Sequence, residues 1–330
     1  MVLLIGNYPA DQQESMLRFA NMMLRGLAAA GVPAKLIQPE PFLGRIQSAG
    51  PFAAKWLGYL DKFLLFPRQL KRSLAPGVAL VHICDHSNAM YGVHTNRPVV
   101  VTCHDLLAVR GALGEVPDTP ASATGKILQR WIVSGLRRAN TIVCVSSATL
   151  RDTERIVGRR EGGPQLRVIH HGLNYPYRPQ APAVARVHLA HVAGLDPARP
   201  FALHVGSNLR MKNREGALRI FALTKSDWNG QMVFAGQRLT SQLRSLGEEL
   251  GVLDRVVEVE GPGNDLLEAL YSSAMVLLYP SRFEGFGWPI IEAQACGCPV
   301  ICADRVPMSE IGGEAALTAP VEDEAALARA

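Results

Sequence analysis

Short apolar runs separated by longer amphipathic stretches repeat along this chain. In the first half the runs at 2–5, 34–37, 79–83, 99–102, 141–145 and 167–169 have the length and composition of buried strands. Between them, 14–30, 123–138 and 148–157 place apolar residues at helical spacing. A second series of strand-like runs follows at 201–205, 232–235, 256–258, 275–279 and 300–303. Strands alternating with helices predict parallel, doubly wound sheets, and therefore an α/β protein. The Pro-rich tract from Asn174 through Pro176, Pro179 and Pro182 breaks the alternation and reads as a linker. The expected organisation is a first Rossmann-like domain over 1–173, a linker over 174–199 and a second Rossmann-like domain over 200–330. A cleft is expected between the domains, because open α/β sheets present the C-terminal ends of their strands to ligands.

The most informative local pattern is Pro280-Ser281-Arg282-Phe283-Glu284-Gly285-Phe286-Gly287-Trp288-Pro289-Ile290-Ile291-Glu292. It comes directly after the apolar run Met275–Tyr279, so the predicted order is strand, glycine loop, helix. That order presents backbone amides and a helix N-terminus to an anion. Pro289 suits the first helical turn, where an N–H is not needed, and Gly285 and Gly287 allow close backbone approach. Glu284 is expected at the loop mouth and Glu292 about one turn into the helix. A plainer alternative is an ordinary turn carrying two solvated acids. The aromatics, glycines and proline set between the acids favour a ligand loop.

This segment resembles the E-x7-E signature of retaining GT-B glycosyltransferases of family 4. Cys296-Gly297-Cys298-Pro299 and Ser309-Glu310-Ile311-Gly312-Gly313 resemble the family's turn and strand downstream of that signature. His204-Val205-Gly206-Ser207 to Lys212 resembles the strand and loop that carry a phosphate-binding lysine. Thr102-Cys103-His104-Asp105 and Val143-Cys144-Val145-Ser146 resemble acceptor-side motifs of the first domain. The resemblance implies the GT-B fold, with acceptor bound by the first domain and nucleotide sugar by the second. It implies that Lys212 contacts the diphosphate, that Glu292 binds the ribose hydroxyls and that Glu284 faces the transferred sugar. The backbone of Gly285, Phe286 and Gly287 completes that pocket, and His104 lies near the anomeric carbon. Ser207 stands where the family commonly has an arginine, and Arg210 is the candidate to supply the missing charge. Gly206, Gly6 and Asn7 complete the donor-side candidates. A lysine at a helix start is mildly unfavourable for the helix dipole, which argues for an anion nearby. Its plainer reading is a solvated lysine, and that of His104 is a structural residue at a strand end.

Composition narrows the field. The 330 residues, 48% hydrophobic and 19% charged, suffice for two domains with real cores. A net charge of +5 suits an anionic ligand or a membrane surface, and no basic cluster is interleaved with aromatics as in nucleic-acid modules. The six cysteines lack zinc-ligand spacing and read as reduced, structural thiols. No Asp-x-Asp pair occurs, so the expected reaction needs no metal and no cofactor, with a GDP- or UDP-linked sugar as substrate. The stretch from 52 to 72 sets Trp56, Tyr59, Phe63 and Phe66 among Lys62, Arg68, Lys71 and Arg72. It fits a surface resting on anionic lipid and equally a packed helix with a basic outer face.

The reading is a retaining transferase of mannose- or glucose-type hexose to a glycan or lipid-linked acceptor, in cell-surface polysaccharide or glycolipid assembly. The expected location is cytoplasmic, with peripheral contact on the inner face of the cell membrane. A non-catalytic nucleotide-sugar binder and an epimerase of the same fold are the alternatives. The sequence stops before the closing helices usual in GT-B enzymes, so it reads as a fragment.

Overall fold

The computed structural model describes residues 1–44, 56–116, 120–196 and 198–330. Phe52 and Lys55, part of the basic and aromatic stretch, lie outside the described residues. The chain forms two compact units, Met1–His170 and His171–Ala330. Each is built on one parallel sheet of six strands.

The first unit contains β1 (Val2–Ile5), β2 (Ala34–Ile37), β3 (Leu80–Ile83), β4 (Val99–Cys103), β5 (Thr141–Cys144) and β6 (Gln165–Val168). The sheet order is β2-β1-β3-β4-β5-β6, so the winding direction reverses between β1 and β3. Leu3, Leu4 and Ile5 are wholly buried, as are Val81, Ile83, Val101 and Ile142 on the neighbouring strands. This is why these strands read as near-continuous apolar runs, since helices cover both faces of a parallel sheet.

The second unit contains β7 (Phe201–Gly206), β8 (Gln231–Gly236), β9 (Val256–Glu260), β10 (Val276–Tyr279), β11 (Val300–Ala303) and β12 (Ala316–Ala319). Its order, β12-β11-β10-β7-β8-β9, reverses between β7 and β10. Those two strands pair in parallel, with Leu277 beside Leu203. At such a reversal the loops leaving adjacent strands depart to opposite faces and leave a crevice at the strand C-termini.

Two features differ from the sequence-based expectation. Residues 174–199, expected as linker, carry the helix Pro182–Leu189, whose Ala185 and Leu189 join Tyr177 in the core of the second unit. Arg178 and Gln180 tie this stretch down, their backbone N–H groups donating to Glu268 and to the Ser272 hydroxyl. Proline starts that helix at its first turn, where its missing N–H costs nothing. The second difference is β12, an edge strand of four residues pairing only with β11. Two alanines and an exposed Leu317 give it no strand-like apolar signal.

Candidate functional site

The sheet reversal of the second unit positions its candidate residues. Lys212 ends a single 3-10 turn, Arg210–Lys212, just beyond β7. Glu284 lies in the loop leaving β10. Their side chains meet: the Lys212 ammonium donates to both carboxylate oxygens of Glu284, at 2.7 and 2.8 Å. Both are largely withdrawn from solvent, 19% and 9% exposed. Tyr279, the last residue of β10, lies beneath the pair and donates its hydroxyl to Glu284 Oε1 at 2.6 Å. The same hydroxyl is 3.5 Å from the Lys212 ammonium, which lies 5.9 Å from the phenol ring centroid. Burial, and next the Glu284 charge, push the Tyr279 phenol well above its ordinary value, with Glu292 adding a smaller effect. Tyr279 is thus a fixed neutral donor that feels both glutamates.

Glu292 is buried on the helix Trp288–Ala295. Its Oε1 accepts from the Asn174 amide at 2.9 Å and its Oε2 from the Tyr271 hydroxyl at 2.9 Å. Each carboxylate oxygen has two lone pairs, so the group retains acceptor capacity for a ligand's hydroxyls. The helix begins as the sequence predicts, with Pro289 in the first turn and Gly287 at the N-cap with φ of 105°. L side chains rarely adopt that conformation. The loop's aromatics fold back on the unit: Phe286 packs edge-on against the His171 ring, and Trp288 stacks on it at 4.6 Å. The Trp288 indole N–H donates to the Gly172 carbonyl, which anchors the loop from its far side.

A buried frame supports Lys212. Arg214 is 3% exposed and donates to the carbonyls of Gly206 and Gln237 and to Asn208. Asn213, with φ of 53°, donates to the Pro280 carbonyl and so ties the loop after β7 to the loop after β10. Gly236, with φ of 126°, lies so close that any side chain there would strike the Gly206 carbonyl. Arg210 is exposed on the turn. The buried guanidinium at this place is Arg214.

The first unit gathers a second set at its own reversal, on the loops after β1, β3 and β4. Asn7 is buried and donates to Asp85 at 2.6 Å, while its own carbonyl oxygen accepts from Asn88 at 3.0 Å. Asp85 also accepts from the Ser87 hydroxyl at 2.5 Å, and His86 Nδ1 lies 3.0 Å from it. Burial alone would raise the Asp85 carboxyl, but His86, His104 and Asn7 hold it well below the usual carboxylate range. His104 is buried against Phe19, with Nε2 2.8 Å from the Cys84 carbonyl. A carbonyl only accepts, so this bond assigns the proton to Nε2 and leaves Nδ1 as the ring's acceptor. Burial, opposed by Asp85, lowers the His104 imidazole below its ordinary value, so the ring is neutral near pH 7. Gly6 sits where a side chain would crowd Gln38 and Leu36.

The structure therefore brings Lys212, Glu284, Gly206 and the Gly285–Gly287 loop together in one unit, with Glu292 within electrostatic reach. It brings Gly6, Asn7 and His104 to adjacent strand ends in the other. Tyr279, Tyr271, Asn174 and Arg214, and Asp85 and His86 beside His104, are the residues that sequence reasoning missed. The position of Asp85 directly after an apolar run was the one available signal. Among the described residues no group of His, Cys, Asp and Glu is suited to hold a metal ion. All six cysteines are free and buried, and burial pushes their thiols up, to about 11 for Cys144 and Cys296.

Comparisons with known proteins match both units. The model described as Glycosyltransferase Family 4 matches residues 18–175, and that described as Glycosyl transferases group 1 matches 190–330. A D-inositol 3-phosphate glycosyltransferase of Mycolicibacterium gilvum is 30% identical over 211 residues, 62% of this chain and 46% of that protein. An O-antigen chain mannosyltransferase B of Escherichia coli is 26% identical over 252 residues, 72% of this chain and 61% of the relative. The chain thus spans about half the length of the curated relatives it matches. Among solved structures, a sucrose-phosphate synthase from Thermosynechococcus elongatus superposes with a TM-score of 0.73 at 23% identity, covering 100% of this chain and 88% of the other. Anabaena HepE, solved with UDP and glucose, gives 0.68 at 19% identity over 99% of this chain and 88% of its own. These likenesses establish the GT-B fold.

Proposed function

Because this chain belongs to the group 1 and family 4 glycosyltransferases, we propose that it is a retaining hexosyltransferase using a nucleoside diphosphate sugar. The observation that carries the reading is the Lys212–Glu284–Tyr279 arrangement at the sheet reversal of the second unit. A transferase of this kind stabilises the charge that grows on the departing diphosphate, and a desolvated, preorganised cation does so efficiently. Lys212 supplies that cation. Glu284 then orients hydroxyls of the transferred sugar and stabilises its oxocarbenium-like charge. Glu292 accepts from the ribose hydroxyls, and Gly206, Arg210 and the amides of Gly285, Phe286 and Gly287 complete the donor pocket. His104, with Gly6 and Asn7, is the first unit's contribution, and that unit takes the acceptor. With Lys212 and loop amides balancing the diphosphate, the reaction runs without a metal or a cofactor.

The donor is mannose or glucose type, on GDP or UDP, and the acceptor a glycan or lipid-linked glycan of cell-surface polysaccharide or glycolipid assembly. A relative named as an O-antigen chain mannosyltransferase supports this class, as does a neighbour solved with UDP and glucose. A screen of nucleotide sugars for release of nucleoside diphosphate tests the proposal. Release from one or a few donors, abolished in Glu284→Ala and His104→Ala, is expected. Tight nucleotide binding with no release from any donor, tested with lipid-linked and glycan acceptors present, would instead make the chain a binding protein.

A further inference from the structure

The two oxygens of the Glu284 carboxylate are held unequally. Oε1 accepts from the Tyr279 hydroxyl at 2.6 Å and from the Lys212 ammonium at 2.7 Å. Oε2 accepts at 2.8 Å from Lys212, its one donor among the described residues. The two donors also differ in freedom. Tyr279 ends β10 beside Cys302 of β11, and both residues are wholly buried. The His204 ring stacks on the Tyr279 ring at 6.4 Å and is itself fastened to the Leu278 carbonyl. Gly287, at the N-cap of the following helix, closes on the ring edge, where an added Cβ would lie 3.9 Å from Tyr279 Cε1.

Lys212 is built differently. Its stem runs past Gly206, where an added Cβ would lie 3.5 Å from its Cγ and Cδ. An ammonium on a flexible stem can change partner, whereas a phenol locked into a packed strand cannot. When a diphosphate takes the ammonium, Glu284 is therefore left to Tyr279. Glu284 is only 9% exposed, and a buried carboxylate parted from its counter-charge is costly unless a donor stays with it. The Tyr279 hydroxyl is that donor. Burial and the Glu284 charge hold the phenol well above its ordinary value, so it keeps the proton it donates.

We propose that Tyr279 is a positioning residue: it retains Glu284 through Oε1 while Lys212 passes to the diphosphate, and Oε2 is the oxygen released to a sugar hydroxyl. The proposal rests on the reading of Lys212 as the cation of the diphosphate, and deepens it by giving the two carboxylate oxygens separate duties. It also sets an order of events. Oε2 becomes free for the sugar only once a diphosphate holds Lys212, so nucleotide and sugar are recognised together rather than independently.

Tyr279 thus acts on nucleotide affinity through Glu284, and a double-mutant cycle isolates that coupling. Calorimetric titration with UDP and GDP compares wild type, Tyr279→Phe, Glu284→Gln and the double variant. Tyr279→Phe should weaken binding about threefold to tenfold. The phenol's bond is shared with an ammonium before the diphosphate binds and is the carboxylate's remaining support afterwards, so its loss costs more in the second state. In the Glu284→Gln background the same change should alter affinity by less than about twofold, since a neutral amide gains less from the donor. An equal loss in both backgrounds marks a merely structural phenol and overturns the proposal. So does undiminished affinity in Tyr279→Phe. Wild type that binds neither nucleotide contradicts the reading of Lys212 and the proposal with it, a failure told apart from the others because it precedes any substitution.

Discussion

The Lys212 ammonium contacts both carboxylate oxygens of Glu284, 72 residues further along the chain, and Tyr279 donates to the same carboxylate. The cation proposed for the diphosphate and the acid proposed for the sugar thus neutralise each other. A diphosphate must compete with Glu284 for that ammonium, and a sugar hydroxyl must find a carboxylate already engaged.

Glu284→Gln removes the competitor's charge and keeps its shape. Nucleoside diphosphate lacking a sugar should therefore bind more tightly, by about threefold to tenfold, since charge-assisted bonds exceed neutral ones by about 1 kcal/mol. Transfer should nevertheless fall sharply, because the same change removes the charge proposed to face the sugar. Calorimetry and turnover on one preparation read both effects, and unchanged or weakened binding would mean that the pair does not restrain Lys212.

Glu292→Gln should leave the fold intact, because its two neighbours can exchange roles: a tyrosine hydroxyl accepts as well as donates, and the Asn174 carbonyl oxygen has no partner of its own. The expected loss is in selectivity. Preference for a ribonucleoside diphosphate over its 2′-deoxy form should shrink by about tenfold, the scale of one charge-assisted hydrogen bond. Retained discrimination would remove Glu292 from the ribose.

His204 predicts a pH dependence of stability. It is wholly buried, with Nδ1 3.1 Å from the Leu278 carbonyl. Burial, then the nearby Arg214 charge, lowers its imidazole to about 3. The unfolded chain takes up this proton below about pH 6.5 and the folded chain does not, so stability falls with pH across the window from 6.5 to 3. At pH 5 this residue should cost about 2 kcal/mol relative to pH 7. His82, lowered to about 4 by burial and His104, acts in the same direction. In His204→Asn, which keeps a donor toward Leu278, the decline in denaturation midpoint between pH 6.5 and 5 should be shallower than in wild type. An identical decline would contradict this account.

Most of the strand positions were legible because parallel strands buried on both faces leave continuous apolar runs, as in 2–5 and 300–303. β12 was not, because an edge strand of Ala-Leu-Thr-Ala needs no such run. The loop around Glu284 was legible because glycine and proline have few uses outside a turn and a first helical turn. The hidden part was long range. Nothing near Lys212 announces its pairing with Glu284, since it arises only once β7 and β10 lie side by side. Tyr279 was absorbed into an apolar run, where its hydroxyl carries no signal. The helix of the expected linker was masked by prolines, one of which starts it.

The central claim is that Lys212 holds a nucleoside diphosphate, and calorimetric titration of wild type and Lys212→Ala with UDP and GDP tests it most directly. Wild type should bind at least one of them, and the variant should lose about 1.5–3 kcal/mol of affinity, the range for a bond to a charged group. Equal affinity in the two proteins would contradict the claim.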